Sequence, residues 1–453
     1  MNRMELNPRG AVSWSTAERL RALQQIVPKS SISAVLKRTQ VGQRYCRRLP
    51  RWFVVWFVIA LGMFCSDSYC QVFRWLQRFR RRSMPGRSTL CEARKSVGAA
   101  PLRLLADDII QLQGREQDAH SFYAGLRLMA FDSFMVDVAD TPANERAFGR
   151  HNGRTPSAFP QARVLSLCEV GTHILYRSLI KPHRRSEVRM AEYLLRFLRE
   201  NMLVLWDRSF LSYLLVKRIL SKKAQLLARV KSSLVFTPSE TLKDGSFLSM
   251  FYVSTYDRQK TRRGIPVRII EYTFHDVGRA GSGEKHRLLT TLLDADRHPA
   301  QQLIVLYHER WEEELAFDEL KTHQRERAVL RSETPAGVIQ ELYGLLLGHY
   351  VIRRLMCEAA VTVDCEPRNI SFVNTLKILR CRLPEVPRTT SGIRRWFRQL
   401  VNEVAEQRLP PRRNRVNPRV IKRKLSNWPK KQRKHYDSPQ PKLEFQNAIT
   451  ILN

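Results

Sequence analysis

At 453 residues the chain is long enough to bury a large core in two or three domains. Its formal net charge of +36 makes an acidic partner the first expectation, and that charge sits at the two ends. Residues 1–100 carry 19 Lys/Arg against 4 Asp/Glu, residues 366–453 carry 21 against 6, and the 265 residues between them hold only +6. Basic ends around a balanced middle suit a polyanion-binding protein whose site needs acids of its own. The eight cysteines (46, 65, 70, 91, 168, 357, 365, 381) form no C-x-x-C pair and no zinc spacing. They are expected as reduced thiols in a cytoplasmic protein, with no signal peptide opening the chain.

In chain order, residues 16–26 are amphipathic and residues 30–38 follow a proline. Residues 52–65 form an uncharged stretch of 14 residues closed by Arg51 and Asp67. A membrane span needs about 18–20 apolar residues, so this one predicts a buried core helix. Residues 68–79 continue the apolar centre, and Arg occupies four of the five positions 78–82 before Pro85-Gly86 breaks the chain. Residues 88–98 and 101–111 read as two helices with Gly98 at the end of the first, the pattern of a helix-turn-helix or of a helical bundle with a basic face.

The middle of the chain predicts a mixed sheet. Residues 126–138 read as a hairpin whose first strand ends at Asp132, and residues 162–176 as two further β-rich pieces. Residues 186–200 predict an amphipathic helix, and the apolar run 202–206 a fully buried strand that delivers Asp207 at its carboxyl end. Carboxyl ends of strands are where open α/β sheets bind ligands. Residues 247–256 and 267–274 are rich in β-branched and aromatic residues between glycine-containing turns, which marks 233–296 as a strand-rich insertion. Residues 335–360 predict a long apolar helix. Beyond 405 the tail turns basic, with 12 Lys/Arg and no acid from Arg408 to Lys434, as in a phosphate-contacting or solvated arm.

The helix expected at 307–321 is the most informative segment. Tyr307, Arg310, Glu314 and Lys321 fall within about 60° of one another on a helical wheel, which lines a polar stripe where a core-facing helix would be apolar. A carboxylate there suits a divalent metal, and the cations a turn away suit phosphate. Two strand ends and this helix can bring Asp132, Asp207 and Glu314 to one point, the requirement of a two-metal phosphoryl-transfer site. Asp318, one turn after Glu314, competes with it on helix geometry alone, and Asp137 and Asp140 follow Asp132 closely. Trp311 is open to two readings, core packing or a platform for an unstacked base.

The spacing Y-(2)-R-(3)-E-(6)-K resembles the signature of the DDE transposases of the insertion-sequence-four family. Asp132 with Asp140-Thr-Pro-Ala-Asn144 and Phe148-Gly149 resembles the family's first-aspartate block, although Ser133-Phe134 departs from its usual glycine and hydroxyl residues. Asp207-Arg208-Ser-Phe210 is similar to its second block. Residues 49–69 and the tract from Glu92 to Leu105 are similar to its N-terminal domain. The resemblance implies an α/β protein with a ribonuclease H-like catalytic core over 116–365, the strand-rich insertion at about 233–296, an all-α DNA-binding domain over 1–115 and a helical, basic region over 366–453. It implies Asp132, Asp207 and Glu314 as catalytic metal ligands for Mg²⁺ or Mn²⁺, with two ions. Tyr307, Arg310, Trp311 and Lys321 are then DNA contacts. It further implies cleavage of transposon ends with strand transfer into target DNA, a homodimer in the synaptic complex, no membrane, and a place at the bacterial nucleoid. A structure-specific nuclease and a domesticated DNA-binding protein are the alternatives.

Overall fold

The computed structural model describes residues 19–41, 49–76, 84–151, 157–231, 233–260, 264–276, 282–410 and 442–452. The Arg78–Arg82 tract and nearly all of the basic stretch from Arg408 to Lys434 lie outside those residues. In chain order the helices α1 (Lys29–Arg38), α2 (Arg51–Met63), α3 (Tyr69–Leu76), α4 (Arg87–Val97) and α5 (Ala100–Ile109) come first. Strands β1 (Phe122–Tyr123) and β2 (Leu126–Asp137), helix α6 (Pro142–Phe148), β3 (Gln161–Glu169), β4 (Ile174–Pro182) and α7 (Glu187–Leu194) follow. Next are β5 (Met202–Trp206), α8 (Tyr213–Ser221), β6 (Gln225–Arg229), β7 (Glu240–Thr241), β8 (Phe247–Phe251), α9 (Thr255–Gln259), β9 (Ile265–Phe274) and β10 (His286–Thr290). The helices α10 (Ala300–His308), α11 (Trp311–Asp318), α12 (Pro335–Thr362), α13 (Phe372–Arg382) and α14 (Thr390–Ala405) precede the final strand β11 (Ile449–Ile451).

Two compact units result, residues 1–197 with 312–409, and residues 198–311 with 410–453. In the first unit α2 is apolar all round, so burial on every side is the way it hides its surface, and eleven of its residues are buried. It crosses the long helix α12 at glycines: a Cβ on Gly62 would lie 2.3 Å from the Gly344 carbonyl oxygen. No helix among the described residues is long and apolar enough to cross a membrane. The helices before residue 115 share one hydrophobic core with α12, α13 and α14, so the compact units do not divide at the expected boundaries of 115 and 365. Helix α4 ends at Gly98, whose φ of +71° a side chain would resist. Its inward Arg94 donates to Gln340, Ser332 and the Gly337 carbonyl, which ties the helix to the start of α12.

The strands of this unit are antiparallel. Ala124 and Gly125, both at positive φ, turn β1 into β2. The hairpin expected inside 126–138 is instead one strand of twelve residues, paired with β3 from Met129↔Glu169 to Asp137↔Gln161. Its polar pair Asp132-Ser133 reads like a turn, yet both residues are half-buried ladder members and the strand continues past them. In the second unit β5 and β6 are parallel, joined through α8. The remaining strands are antiparallel in the order β6-β10-β9-β8-β7. The strand-rich character of 233–296 is therefore present as β7 to β10. The far half of β9 is paired by β11. Seven cysteines among the described residues are free thiols.

Candidate active site

Asp132 and Glu314 belong to the first unit. Asp132 lies in mid-strand on β2, and its Oδ1 accepts the Ser133 N–H at 2.7 Å. Residues two apart on a strand share a face, so Asp132 points the same way as Phe134. Phe134 packs on Phe317 with ring centroids 4.8 Å apart. Phe317 is three residues beyond Glu314, hence on nearly the same side of α11. The two half-buried carboxylates thus flank one aromatic contact, and Lys321 joins them with its Nζ 5.7 Å above the Phe134 ring. On the opposite face of β2, Ser133 donates to Glu187 at 2.7 Å, and Glu187 is paired with Arg163.

Asp207 belongs to the second unit. Strand β5 is fully buried to Trp206, and Asp207 follows it at the junction leading to α8. Ser209 donates to its carboxylate at 3.5 Å, and Phe210 stacks on Trp206 at 5.6 Å. Tyr307 was expected as a DNA contact. It is buried, and its hydroxyl donates at 3.3 Å to the carbonyl of Trp206, one residue before Asp207. Burial pushes this phenol up to about 12, with Arg310 opposing and Asp207 reinforcing that rise. Arg310 is buried as well, its guanidinium 5.5 Å from the exposed ring of Trp311. Trp311 is 44 % exposed, which overturns the core-packing reading.

The single helix expected from Tyr307 to Lys321 is broken. The amides of Glu309 and Arg310 bond three residues back, to Leu306 and Tyr307, and α11 begins only at Trp311. From Glu319 to Gln324 the backbone widens into a π-helix that carries Lys321. The continuous polar stripe is therefore divided over three segments. Asp318 is exposed and accepts the Thr322 hydroxyl at 2.5 Å. Asp137 accepts Gln161 at 2.9 Å, and exposed Asp140 pairs with Arg150. Thr141 caps α6 by accepting the Asn144 N–H at 3.2 Å. Buried Asn144 donates to Ala139 and Ser332 carbonyls, both at 3.0 Å, so this block supports the chain around β2.

Carboxylate oxygens on partly exposed side chains are the donor type that hard divalent cations take. Among the described residues, no group of three or more His, Cys, Asp or Glu side chains is already gathered to hold an ion. Sequence reasoning missed what lies under α11. His173, in the β3–β4 turn, is buried between Glu312 and Glu319, and α12 adds His349 and Arg353. No local pattern around His173 marks it; two glutamates seven residues apart, Glu312 on α11 and Glu319 at the start of the π-helix, are the trace it leaves in the sequence.

The transposase DDE domain family matches residues 123–350, and the insertion element 4 transposase N-terminal family matches residues 17–107. The chain belongs to the insertion-sequence-four DDE transposases. Among its relatives, the transposase InsG for insertion sequence element IS4 of Escherichia coli (strain K12) is 28% identical over 395 residues. That match covers 84% of this chain and 87% of InsG. Among solved structures, the piggyBac transposase synaptic complex with hairpin DNA aligns at a TM-score of 0.46 and 12% identity, over 89% of this chain and 88% of that one. A DDE transposase is an enzyme of DNA cleavage and transfer, and its family depends on divalent metal. Neither the nuclease nor the domesticated binder is favoured over it.

Proposed function

We propose that this transposase cuts the ends of its element and joins them to target DNA at a site formed by Asp132, Asp207 and Glu314 on a ribonuclease H-like core. The observation that carries this reading is the Phe134–Phe317 contact, which draws the strand of Asp132 against the helix of Glu314. The parallel pair β5–β6, with Asp207 at the exit of β5, supports the third carboxylate. Two divalent ions, Mg²⁺ or Mn²⁺, bound by these three residues would activate the attacking oxygen and stabilise the leaving one.

The chain's own residues divide the remaining work. Lys321 supplies a charge for a phosphate beside Glu314. Exposed Trp311 offers a ring face to an unstacked base. Tyr307, buried against Trp206, braces the strand end before Asp207 and does not touch DNA, with Arg310 beside it. Duplex phosphates run over residues 1–115 and the segment after α11. There Arg87, Arg94, Lys95, Arg327 and Arg331 line a cleft of about 610 Å³ whose acidic lining residue is Glu333. The protein acts as a homodimer on paired ends, in the cytoplasm at the nucleoid.

Alanine at Asp132, Asp207 or Glu314 is expected to lower single-turnover cleavage of end DNA by roughly a thousandfold or more, with losses that do not add. DNA affinity measured in EDTA should stay unchanged. Asp318→Ala should cleave normally; a dead Asp318→Ala beside an active Glu314→Ala would move the catalytic acid by one turn.

A further inference from the structure

Glu314 is presented by a helix whose opposite side is held by buried charge. Glu312 and Glu319 are seven residues apart and so share a face, whereas Glu314 lies about 160° around from Glu312. His173 reaches both anchors. Its Nε2 is 3.0 Å from Glu312 Oε2, and its Nδ1 is 3.1 Å from Glu319 Oε1. Arg353 donates from Nε to Glu319 Oε2 at 2.8 Å, and its Nη2 touches both Glu319 Oε1 and His173 Nδ1. His349 adds a contact to Glu319 Oε2 at 3.2 Å, and Arg368 stands 3.9 Å from Glu312.

Both ring nitrogens of His173 are engaged, Nε2 by the Glu312 carboxylate and Nδ1 by Glu319 and the Arg353 guanidinium. His173 has a φ of +57°, a backbone strain that a non-glycine residue holds only when its surroundings demand it. Such a network is a costly way to fill a helix interface, since apolar packing of equal volume is often as stable. What it adds is direction. Each anchor is fixed by bonds of set geometry, one near the start of α11 and one where the π-helix begins.

We propose that His173, with Arg353, is a positioning group that fixes the rotation of α11 and thereby the placement of Glu314. The inference rests on the reading of Glu314 as a catalytic carboxylate. His173 does not touch the reacting DNA; it acts through Glu312 and Glu319. A leucine at 173 fills the space and drops the bonds, whereas glutamine places an amide N–H near the position of Nε2 and keeps the bond to Glu312.

The test uses the full chain and end DNA. His173→Leu is expected to slow single-turnover cleavage at saturating DNA by roughly tenfold or more, with DNA affinity in EDTA kept within about twofold. Amide exchange should quicken in residues 311–324 and not in residues 247–274. His173→Gln should recover much of the rate. If His173→Leu does not fold, Arg353→Lys takes its place, since it keeps the charge and loses the forked hold on Glu319. Cleavage by His173→Leu at the parent rate beside a dead Glu314→Ala would overturn the inference and leave the site reading intact. Slow cleavage that glutamine does not restore, with faster exchange throughout the protein, would also overturn it. Normal cleavage by Glu314→Ala would instead sink the site reading.

Discussion

His349 shows what burial does to a single group. It is 1 % exposed, and burial first, then His173, pushes its imidazole down to about 3. A histidine depressed below its unfolded value of about 6.5 gives full stability above that pH and loses it as the pH falls, by about 1.4 kcal/mol per unit. Melting temperature should therefore drop between pH 6.5 and 5, and the drop should be shallower in His349→Gln; identical slopes would remove His349 as the cause. At this scale the sequence was legible in part. Asp207 is nominated by its place after an apolar run, and Glu314, among three consecutive glutamates, by the family spacing, both as proposed catalytic acids. The spacing could not show that Tyr307 and Arg310 point inward while Trp311 faces solvent, because the wheel assumes one unbroken helix. Nor does anything near residue 173 announce a histidine that holds two glutamates 139 and 146 residues away.

Among the elements, those announced by apolar length or by proline and glycine were readable: α1 after Pro28, α2, α4 ending at Gly98, the β5 run and α12. The break at Glu309-Arg310 has no proline or glycine to mark it. The π-helix that follows is framed by tertiary ties, with Glu319 held from below and Gln324 donating to the carbonyls of Gly62 and Leu345, both at 2.8 Å. Likewise the first strand of the expected hairpin was to end at Asp132; β3 runs alongside and carries the ladder through to Asp137. The crossing of α2 and α12 gives a direct check. Gly62→Ala drives a methyl into the Gly344 backbone and should destabilise the protein by about 1–3 kcal/mol in urea unfolding. Gly86→Ala, whose nearest neighbour is Ser88 Oγ at 3.8 Å, should stay within about 0.5 kcal/mol. Equal midpoints for the two variants would mean that the helices shift apart at no expense.

For the whole molecule, charge asymmetry was legible and the division into units was not. The family resemblance implied three consecutive domains, 1–115, 116–365 and 366–453. The compact units instead interleave, because contacts such as Gly62 to Gly344 join segments that no local pattern relates. Truncating the chain at residue 408 is then a poor test of the basic stretch, since it also removes β11 and Phe445, which packs on Phe274 and His308. Replacing the Lys and Arg of 412–434 by Gln leaves those contacts in place. It should flatten the salt dependence of DNA binding, each lost phosphate contact changing the slope by roughly 0.9. An unchanged slope would assign the affinity to basic residues elsewhere in the chain. The same interleaving governs how the chain matures. The outer half of β9 finds its partner in β11, where His275 meets Thr450 across 175 residues of sequence. Until that strand has left the ribosome, the Glu271 carbonyl and the His275 amide lack the partners that Leu452 and Ala448 give them, and a long-range pairing of this kind closes slowly. Newly made protein is thus expected to pass through an interval in which it is sticky before it is active, so its output depends on chaperone supply as well as on transcription.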